Sequence, residues 1–368
     1  MKQEIRFCHS PDGVRIAYAV SGSGPPLVRV ANWLTHLNLD WESPVWSHWF
    51  AEFSRGSSFV RYDPRGTGLS DRYVDMISLE AWLQDLESVL DDLGLDHFNL
   101  LGFCQGGPIA VAYAARHPER VDHLVLYDSY AYGAFTEGVS PEKRQEAEAL
   151  AQLIEVGWGR HVDAFRQVFT NLLIPTGTKE QKHWLDAFER ETVSAGTAAR
   201  LWKAFHRLDV REQAKQVKAP TLVLHVKGDA MVPFEAGLQL AALIPGARFI
   251  PLEGSNHILL ENEPAWPHFL AEVRRYLKLN INESAPPEGQ QQAVFPKLTH
   301  RESEVLELIA RGFNNGEIAE RLFITPKTTR NHVTHIYHKL HVSSRSQAII
   351  LAREAGFGHN HSEQPLGQ

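Results

Sequence analysis

The sequence predicts an α/β domain with a mostly parallel sheet, followed by a small all-helical domain. Short apolar runs alternate with amphipathic stretches over residues 1–280, which is typical of strands joined by helices in a parallel sheet. The stretch NESAPPEGQQQ lacks apolar periodicity and is rich in Pro, Glu and Gln, so we expect a linker over residues 281–296. Residues 297–357 have the apolar spacing of short helices, and residues 358–368 are expected to form a tail.

The composition is that of a globular protein and argues against several classes. The chain has 368 residues, 43% of them hydrophobic and 22% charged, and its two cysteines, Cys8 and Cys104, lie far apart. This cysteine usage argues against a disulfide framework and suits a reducing compartment. The N-terminus lacks the apolar core of a secretory signal, and no apolar run approaches the ~18 residues of a membrane span. We therefore expect a cytoplasmic protein without membrane contact.

The formal charge of −7 is unevenly distributed along the chain. Residues 1–282 hold 28 Lys and Arg against 35 Asp and Glu, whereas residues 297–357 hold nine against six. An acidic body joined to a small basic domain suggests that the C-terminal domain meets a polyanion.

The strands and helices of the first domain are predicted in order along the chain. IRFCHSPDGVRIAYAV predicts two strands around SPDG, hence an antiparallel hairpin at the edge of the sheet. Runs rich in Val, Leu, Ile and Phe predict further strands in PLVRVA, SSFVRYD, HFNLLGF, DHLVLYD, TLVLHVKGD and ARFIPLEG. Between them, SLEAWLQDLESVLDDLG has helical spacing and stops at Gly94, and GGPIAVAYAARHPERV predicts a second helix.

One region breaks this alternation of strands and helices. Residues from about 136 to 217 have a helical pattern with many bulky aromatic residues, which predicts a helical cap over the carboxyl ends of the strands. Most of these rings are expected to pack the core of the cap. In the alternative interpretation several of them, with Trp158, Trp184 and Trp202 as candidates, line an apolar ligand pocket beneath the cap.

The stretch GFCQG has the spacing of a nucleophile turn between a predicted strand and a predicted helix. In many enzymes this turn is Gly-x-Ser-x-Gly, and here Cys104 takes the place of the serine. Gly102 and Gly106 leave room for the strand and the helix to close around a strained tip. The positive end of the following helix is expected to favour the thiolate form of Cys104.

An acid and a histidine follow in the order that such a turn requires. Asp229 lies in the turn after TLVLHVKG, and His257 lies in the loop after ARFIPLEG. We expect a Cys104–His257–Asp229 triad, in which His257 takes the thiol proton and Asp229 holds the imidazole tautomer. Asp128, directly after DHLVLY, remains an alternative acid.

The same site needs two backbone donors for an oxyanion. One should be the N–H of Gln105, next to the nucleophile, and the other the N–H of Trp33 in the loop VANWLTHL. His36, in the same loop, either reaches the pocket or lies at the surface.

These motifs together resemble the α/β-hydrolase fold over residues 1–280. NWLTHLNLDWESP, FVRYDPRGTGLSDR and GFCQGGPIAVAYAARHPERVDHLVLYDSYAYG are similar to hydrolase-type domains fused to bacterial signalling modules. The charged residues of RYDPRGTGLSD are expected to brace their loop. The chain departs from the family at Cys104 and at Ala31-Asn32, where a His-Gly pair is usual. Cysteine nucleophiles do occur in the fold, as in enzymes resembling dienelactone hydrolases, but fast ester turnover is in doubt.

The C-terminal segment predicts a helix-turn-helix. THRESEVLELIARG is a helix with Thr299 as N-cap and a stop at Gly312. NNGEIAERLF predicts a second helix, ITPKTTRNHVTHIYHKL a third with Thr325 as N-cap, and SSRSQAIILAREAG a fourth. The third helix would enter the major groove of DNA with its N-terminal half.

Residues Leu298–Gly356 closely resemble the LuxR-type DNA-binding domains of bacterial regulators. Thr329 and Arg330 stand where the family usually has Val and Lys. The resemblance implies DNA contacts by Lys327, Thr328, Arg330 and Asn331, with Lys339 as a phosphate contact. It also implies dimerisation around Gln347–Leu351, and a core of Val305, Leu308, Ile318, Leu322, Val333 and Ile336.

The sequence predicts neither a metal site nor a cofactor. Histidines stand at 332, 335, 338 and 341, in and just after the third helix. Because a helix turns once in 3.6 residues, side chains three apart point in progressively different directions, and no acid or thiol accompanies them.

The two domains together suggest a one-component transcriptional regulator. It would bind promoter DNA as a homodimer, with RNA polymerase as a further candidate partner. The hydrolase-like domain would sense a small, largely apolar ester, lactone or related carbonyl ligand near Cys104. Three alternatives stay open: an active Cys–His–Asp hydrolase of the esterase or lactonase type, a slow acyl adduct that serves as the signal, and a ligand-free scaffold.

Overall fold

The computed structural model describes residues 2–160, 164–279 and 298–340, and beyond them 342, 345, 348, 349, 352, 355, 357 and 358. Two compact units, Met1–Ile281 and Asn282–Gln368, divide the chain. The predicted linker 281–296 lies outside the described residues, as does the predicted tail apart from Gly358.

The first unit is built on an eight-stranded sheet. The strands are β1 Gln3–His9, β2 Arg15–Gly22, β3 Pro26–Val30, β4 Ser58–Tyr62, β5 Phe98–Phe103, β6 Val121–Tyr127, β7 Thr221–Val226 and β8 Arg248–Leu252. Their order is β1-β2-β4-β3-β5-β6-β7-β8. The pairs β1–β2 and β2–β4 are antiparallel and the others are parallel. The edge hairpin and the mostly parallel sheet are as predicted.

The parallel strands bring the site loops to one edge of the sheet. Every residue of β5 and of β7 is buried, as expected of strands covered on both faces. The turns that follow β5, β7 and β8 leave from the same carboxyl edge, because parallel strands share their direction. Cys104, Asp229 and His257 follow these three strands.

Six helices of this unit belong to the α/β core. They are α1 Leu37–Trp41, α2 Ser47–Ser54, α3 Leu79–Asp92, α4 Gly106–Arg116, α10 Phe234–Leu243 and α11 Ala265–Leu277. Ser78 caps α3 by accepting a hydrogen bond from the N–H of Ala81, and Gly94 beyond the end has a φ of 62°. The sequence reasoning identified α3 and α4 and missed the other four, of which α1 has only five residues.

Five helices between β6 and β7 occupy the region predicted as a cap. They are α5 Pro141–Gly157, α6 Ala164–Leu173, α7 Lys179–Thr192, α8 Ala195–Phe205 and α9 Arg211–Ala214. Hydroxyl N-caps start three of them, at Ser140, Thr178 and Ser194.

Charged residues of RYDPRGTGLSD hold their loop in place. The buried Arg65 donates to the buried Asp85 at 2.7 Å and to Asp12 at 2.6 Å. Asp63 accepts from the N–H groups of Leu37 and Leu69. These side chains therefore brace the loop, as expected from the sequence.

The second unit begins with three helices. They are α12 His300–Ala310, α13 Asn315–Arg321 and α14 Pro326–Lys339. Capping boxes start α12 at Thr299 and α13 at Asn314, and Thr325 caps α14. The predicted core residues 305, 318, 333 and 336 are buried, and Leu308 and Leu322 are partly buried against them.

Only part of the predicted fourth helix is described. Arg345, Ala348, Ile349 and Ala352 are helical, and Ala348 and Ala352 are buried in the small core. Of the predicted dimer segment, residues 347, 350 and 351 lie outside the described residues. In the described part of the chain, no helix combines the length and apolarity needed to cross a bilayer.

Candidate active site and DNA-binding helix

Cys104 occupies the tip of a tight turn between β5 and α4. Its φ of 49° lies in the left-handed region, which is strained for a residue with a side chain. A Cβ atom on Gly102 would lie 2.8 Å from Cα of Gly107, and one on Gly106 would lie 2.8 Å from the carbonyl oxygen of Val30. Both glycines are thus required by close packing, and the buried thiol is held at the sheet edge.

Asp229 orients His257 directly. The Nδ1 atom of His257 lies 2.6 Å from Oδ2 of Asp229, and both side chains are fully buried. The other oxygen of Asp229 accepts from the N–H groups of Met231 at 2.8 Å and Val232 at 3.1 Å. Nδ1 therefore donates to Asp229, and Nε2 is the ring nitrogen left for Cys104.

Asp128 is a second carboxyl group near the same imidazole. Its Oδ2 atom lies 3.8 Å from Nδ1 of His257, beyond hydrogen-bond distance, and its Oδ1 atom accepts from the N–H of Val226 at 2.7 Å. Burial, and then the charge of Asp229, raise the pKa of Asp128 well above its ordinary value. Asp229 is therefore better placed as the acid.

The same three side chains are where a metal ion could be considered. In the described part of the chain, Asp128, Asp229 and His257 offer donor atoms within 4.8 Å of one another. Two of these donors are already joined by the hydrogen bond between Asp229 and His257.

Burial governs the protonation of the thiol. It raises the pKa of Cys104, and the opposing effects of His257 and of the Gln105 N–H are smaller. Burial alone would lower the pKa of His257, but the charges of Asp229 and of an ionised Cys104 raise it well above its ordinary value, so His257 is a strong proton acceptor once the thiol ionises. At neutral pH we therefore expect a thiol rather than the thiolate expected from the helix terminus, because desolvation of a buried anion outweighs the partial charge of a helix end.

The residues of the two predicted oxyanion donors line the same cavity as Cys104. Among the described residues, the backbone N–H of Trp33 has no hydrogen-bond partner. The N–H of Gln105 interacts with the sulfur of Cys104. The Trp33 ring packs against Trp158 and Trp202 at centroid distances of 5.3 and 5.1 Å, which fixes its loop.

A small cavity of about 20 Å³ adjoins Cys104 and His257, which is roughly the space that one ordered water needs. A larger ligand would have to displace the side chains around it. Its walls are mostly apolar, with the core contributing Trp33, Leu34, Trp46, Phe103 and Ile258 and the cap contributing Leu173, Leu185 and Phe188. Asn32 and Gln105 add the other polar groups. These walls favour uncharged and largely apolar groups.

The four side chains predicted for the pocket do not line this cavity. Trp158 and Trp202 pack on Trp33 and donate to the carbonyl oxygens of Glu189 and Ala147, while Trp184 stacks on Phe188. His36 caps α1 by accepting from the N–H of Leu39. In this structure the three tryptophans therefore pack the interior of the cap and its junction with Trp33, and a role for these four residues in ligand binding stays a prediction.

The cavity-lining residues that the prediction missed are mainly leucines and rings on other elements. Phe188 is one of the aromatic residues of the cap, so the sequence pattern that suggested a pocket beneath the cap already included it. Leu173, Leu185, Trp46 and Phe103 look like ordinary core residues, and nothing in their spacing sets them apart.

Four predicted DNA contacts lie on the first two turns of α14. Lys327, Arg330 and Asn331 are exposed, and Thr328 is half-buried with its hydroxyl 2.9 Å from that of Thr325. Lys339 at the other end of α14 differs, because its Nζ atom donates to Glu302 at 2.7 Å. Lys339 thus forms an ion pair between α14 and α12, and its predicted contact with a DNA phosphate stays a prediction.

Comparison with known proteins identifies both units. The family model for the alpha/beta hydrolase fold matches residues 37–264, and that for bacterial regulatory proteins of the luxR family matches residues 296–352.

Individual relatives match most of their own length. AB hydrolase superfamily protein YisY of Bacillus subtilis is 28% identical over 64% of this chain and 86% of its own. Non-heme chloroperoxidase CPO-A1 of Kitasatospora aureofaciens is 29% identical over 68% and 91%. The solved esterase from Exiguobacterium antarcticum, 22% identical, superposes with a TM-score of 0.63 over 74% of this chain and 98% of its own, which supports the fold alone.

Proposed function

Because this chain belongs to the α/β-hydrolase family and carries a luxR-family DNA-binding domain, we propose that it is a ligand-responsive, one-component transcriptional regulator. The hydrolase-fold domain would bind a small, largely apolar ester, lactone or related carbonyl compound beside Cys104. The C-terminal domain would bind promoter DNA as a homodimer in the cytoplasm and contact RNA polymerase. The observation that carries the proposal is an apolar cavity with a complete Cys–His–Asp arrangement in the same chain as a DNA-binding helix.

The site chemistry supports a carbonyl ligand. The thiol of Cys104 faces the cavity, with Nε2 of His257 as proton acceptor and the N–H groups of Trp33 and Gln105 as oxygen donors. Attack by sulfur on the carbonyl carbon would move the thiol proton to Nε2 and the negative charge to the carbonyl oxygen. A raised thiol pKa makes this attack slow at neutral pH, which suits occupancy or a lasting adduct as the signal.

DNA binding by the full-length protein tests the proposal. Its affinity for the DNA upstream of its own gene is measured by fluorescence anisotropy, with and without a panel of neutral esters and lactones. We expect a ligand-dependent change of about 5- to 150-fold, the usual range of allosteric coupling. Cys104→Ala should reduce or abolish the response while leaving ligand-free DNA affinity unchanged. No DNA affinity under any condition would contradict the regulator, and affinity that no ligand alters would contradict the sensor.

A working hydrolase is the second candidate function. It is favoured by the 2.6 Å contact between His257 and Asp229, which a purely binding site does not need. Hydrolysis of short activated esters is followed for wild type and Cys104→Ala. Release of many equivalents of alcohol per chain by the wild type alone would support the enzyme. Equal background rates would argue against it.

A further inference from the structure

Asn32 presents an amide to the Cys104 cavity in a defined orientation. Its Oδ1 atom accepts a hydrogen bond of 2.8 Å from Nη2 of Arg29, and the side chain is only 7% exposed. A guanidinium donates and never accepts, so the amide atom that faces Arg29 must be the oxygen. The amide nitrogen Nδ2 therefore points away from Arg29 with both N–H bonds available.

These N–H bonds have no protein acceptor. Within the described ranges, no hydrogen bond from Nδ2 of Asn32 is present. Asn32 lines the cavity together with Cys104 and directly precedes Trp33, whose N–H is one proposed oxyanion donor. Nδ2 is not among the buried side-chain atoms that lack a partner, so it is accessible, and a ligand oxygen would replace water as its partner.

Arg29 is held firmly enough to set this orientation. It is 5% exposed on β3, and its guanidinium carbon lies 4.5 Å from the ring centre of Trp46 and 5.6 Å from that of Phe103. Both rings line the cavity. Burial lowers the pKa of Arg29 to about 10, so it remains a cation at neutral pH.

We propose that Nδ2 of Asn32 is a third hydrogen-bond donor to the carbonyl oxygen of a ligand at Cys104, with Arg29 as the positioning residue that orients the amide. This inference rests on the proposed carbonyl ligand and deepens it. As the sulfur–carbon bond forms, the thiol proton passes to His257 and the carbonyl π electrons move onto oxygen. That oxygen then receives hydrogen bonds from Trp33, Gln105 and Asn32, and expulsion of the alkoxide or phenolate group restores the carbonyl as a thioester.

Asn32→Asp is the sharpest test, because it keeps the shape and the acceptor for Arg29 but removes the donor. The variants are made in the full chain with Cys8→Ala, so that Cys104 is the only thiol. The probe is 4-nitrophenyl acetate, with first-turnover nitrophenolate release and intact mass as readouts. We expect acetylation to slow by about 10²- to 10³-fold, as when other enzymes lose one oxyanion donor. Thermal stability should be retained.

Two further variants separate donation from other effects. Asn32→Leu removes the donor without adding charge, so its acetylation should also fall while its reaction with methyl methanethiosulfonate, which forms no oxyanion, stays within about threefold of the parent. Arg29→Met should acetylate at a rate between that of the parent and those of the Asn32 variants. Asn99→Asp is the matched control at another buried asparagine of the sheet, whose Oδ1 faces His123 at 3.0 Å, and should react as the parent does.

The outcomes are distinct. Acetylation of Asn32→Asp and Asn32→Leu within threefold of the parent would overturn the role of Asn32 and leave the carbonyl ligand standing. An equal loss of acetylation and of methanethiosulfonate reactivity in Asn32→Leu would also overturn it, because the thiol itself would be impaired. A parent that takes up no acyl group would overturn the proposed carbonyl ligand and, with it, this inference.

Discussion

At the scale of single residues, burial decides how Cys104 behaves. The nucleophile turn places the thiol at the start of a helix, where partial positive charge favours an anion. The structure also encloses it completely among apolar walls, which raises its pKa. Because desolvation opposes the charged form, we expect a thiol at rest rather than the preformed thiolate of many cysteine enzymes.

The raised pKa predicts an alkaline reactivity profile. In the Cys8→Ala protein, the rate of Cys104 modification by methyl methanethiosulfonate should rise with pH and have its midpoint above the ordinary thiol value of about 8.5, because only the thiolate reacts. His257→Ala should move the midpoint still higher, since His257 lowers the pKa of the thiol. A midpoint below pH 7 in the parent would show a preformed thiolate and contradict this assignment.

The ion pair between Glu302 and Lys339 predicts an acid-sensitive small domain. The hydrogen bond from Lys339 is the main reason that the pKa of Glu302 falls to about 2. A lowered folded-state pKa stabilises the domain above the unfolded value of about 4.3, and this stabilisation is lost as the pH falls toward 2. Calorimetry of the full chain at pH 7 should show the small domain melting at a lower temperature in Lys339→Met than in the wild type. On acidification, the melting temperature of this domain should fall less in Lys339→Met than in the wild type. Equal pH dependence in both proteins would contradict the pairing.

At the scale of elements, α14 divides into two parts with different roles. Its first turns expose Lys327, Arg330 and Asn331, whereas its last turn holds Lys339 against α12. A helix that reads a groove must expose its reading face, and its opposite face must pack the core, as Val333 and Ile336 do.

This division predicts different salt dependences of DNA binding. Arg330→Ala should weaken binding and lower the slope of log affinity against log salt by about 0.9 if the guanidinium neutralises one phosphate. Lys339→Met, measured below its melting temperature, should leave that slope unchanged. Filter binding between 50 and 200 mM salt provides the measurement. An unchanged slope in Arg330→Ala together with a reduced one in Lys339→Met would reverse the assignment.

At the scale of the whole molecule, a ligand at Cys104 should act first on the unit that binds it. At 100 times its dissociation constant, a ligand that binds only the folded state stabilises it by about 2.7 kcal/mol. The melting transition of the hydrolase-fold unit should therefore rise in scanning calorimetry of the full chain, and Cys104→Ala or a cavity-filling Leu185→Trp should diminish the rise. A ligand that raises only the transition of the small domain would place the binding site elsewhere.

The sequence predicted the strands along the chain, the turn at Cys104 and the acid and histidine that follow, because each depends on local patterns. Alternating apolar runs specify strands, and glycines two residues either side of Cys104 specify a tight turn. The missed helices α1, α2, α10 and α11 are short or lack marked start and stop signals. The residues that line the cavity could not be singled out from the sequence, because a ring in a helical pattern has the same spacing whether it meets a ligand or another ring.

By itself, then, the sequence determined the two domain types, the chemical groups of the candidate site and the residues at the start of the DNA-binding helix. Only the tertiary structure decided that Asp229 rather than Asp128 meets His257 and that Cys104 is enclosed. It also paired Lys339 with Glu302 and placed the guanidinium of Arg29 on the amide oxygen of Asn32. Each of these depends on distances between residues remote in the chain and on their removal from water. Spacing along a chain encodes local conformation, whereas desolvation and partner choice arise only when the strands and helices pack.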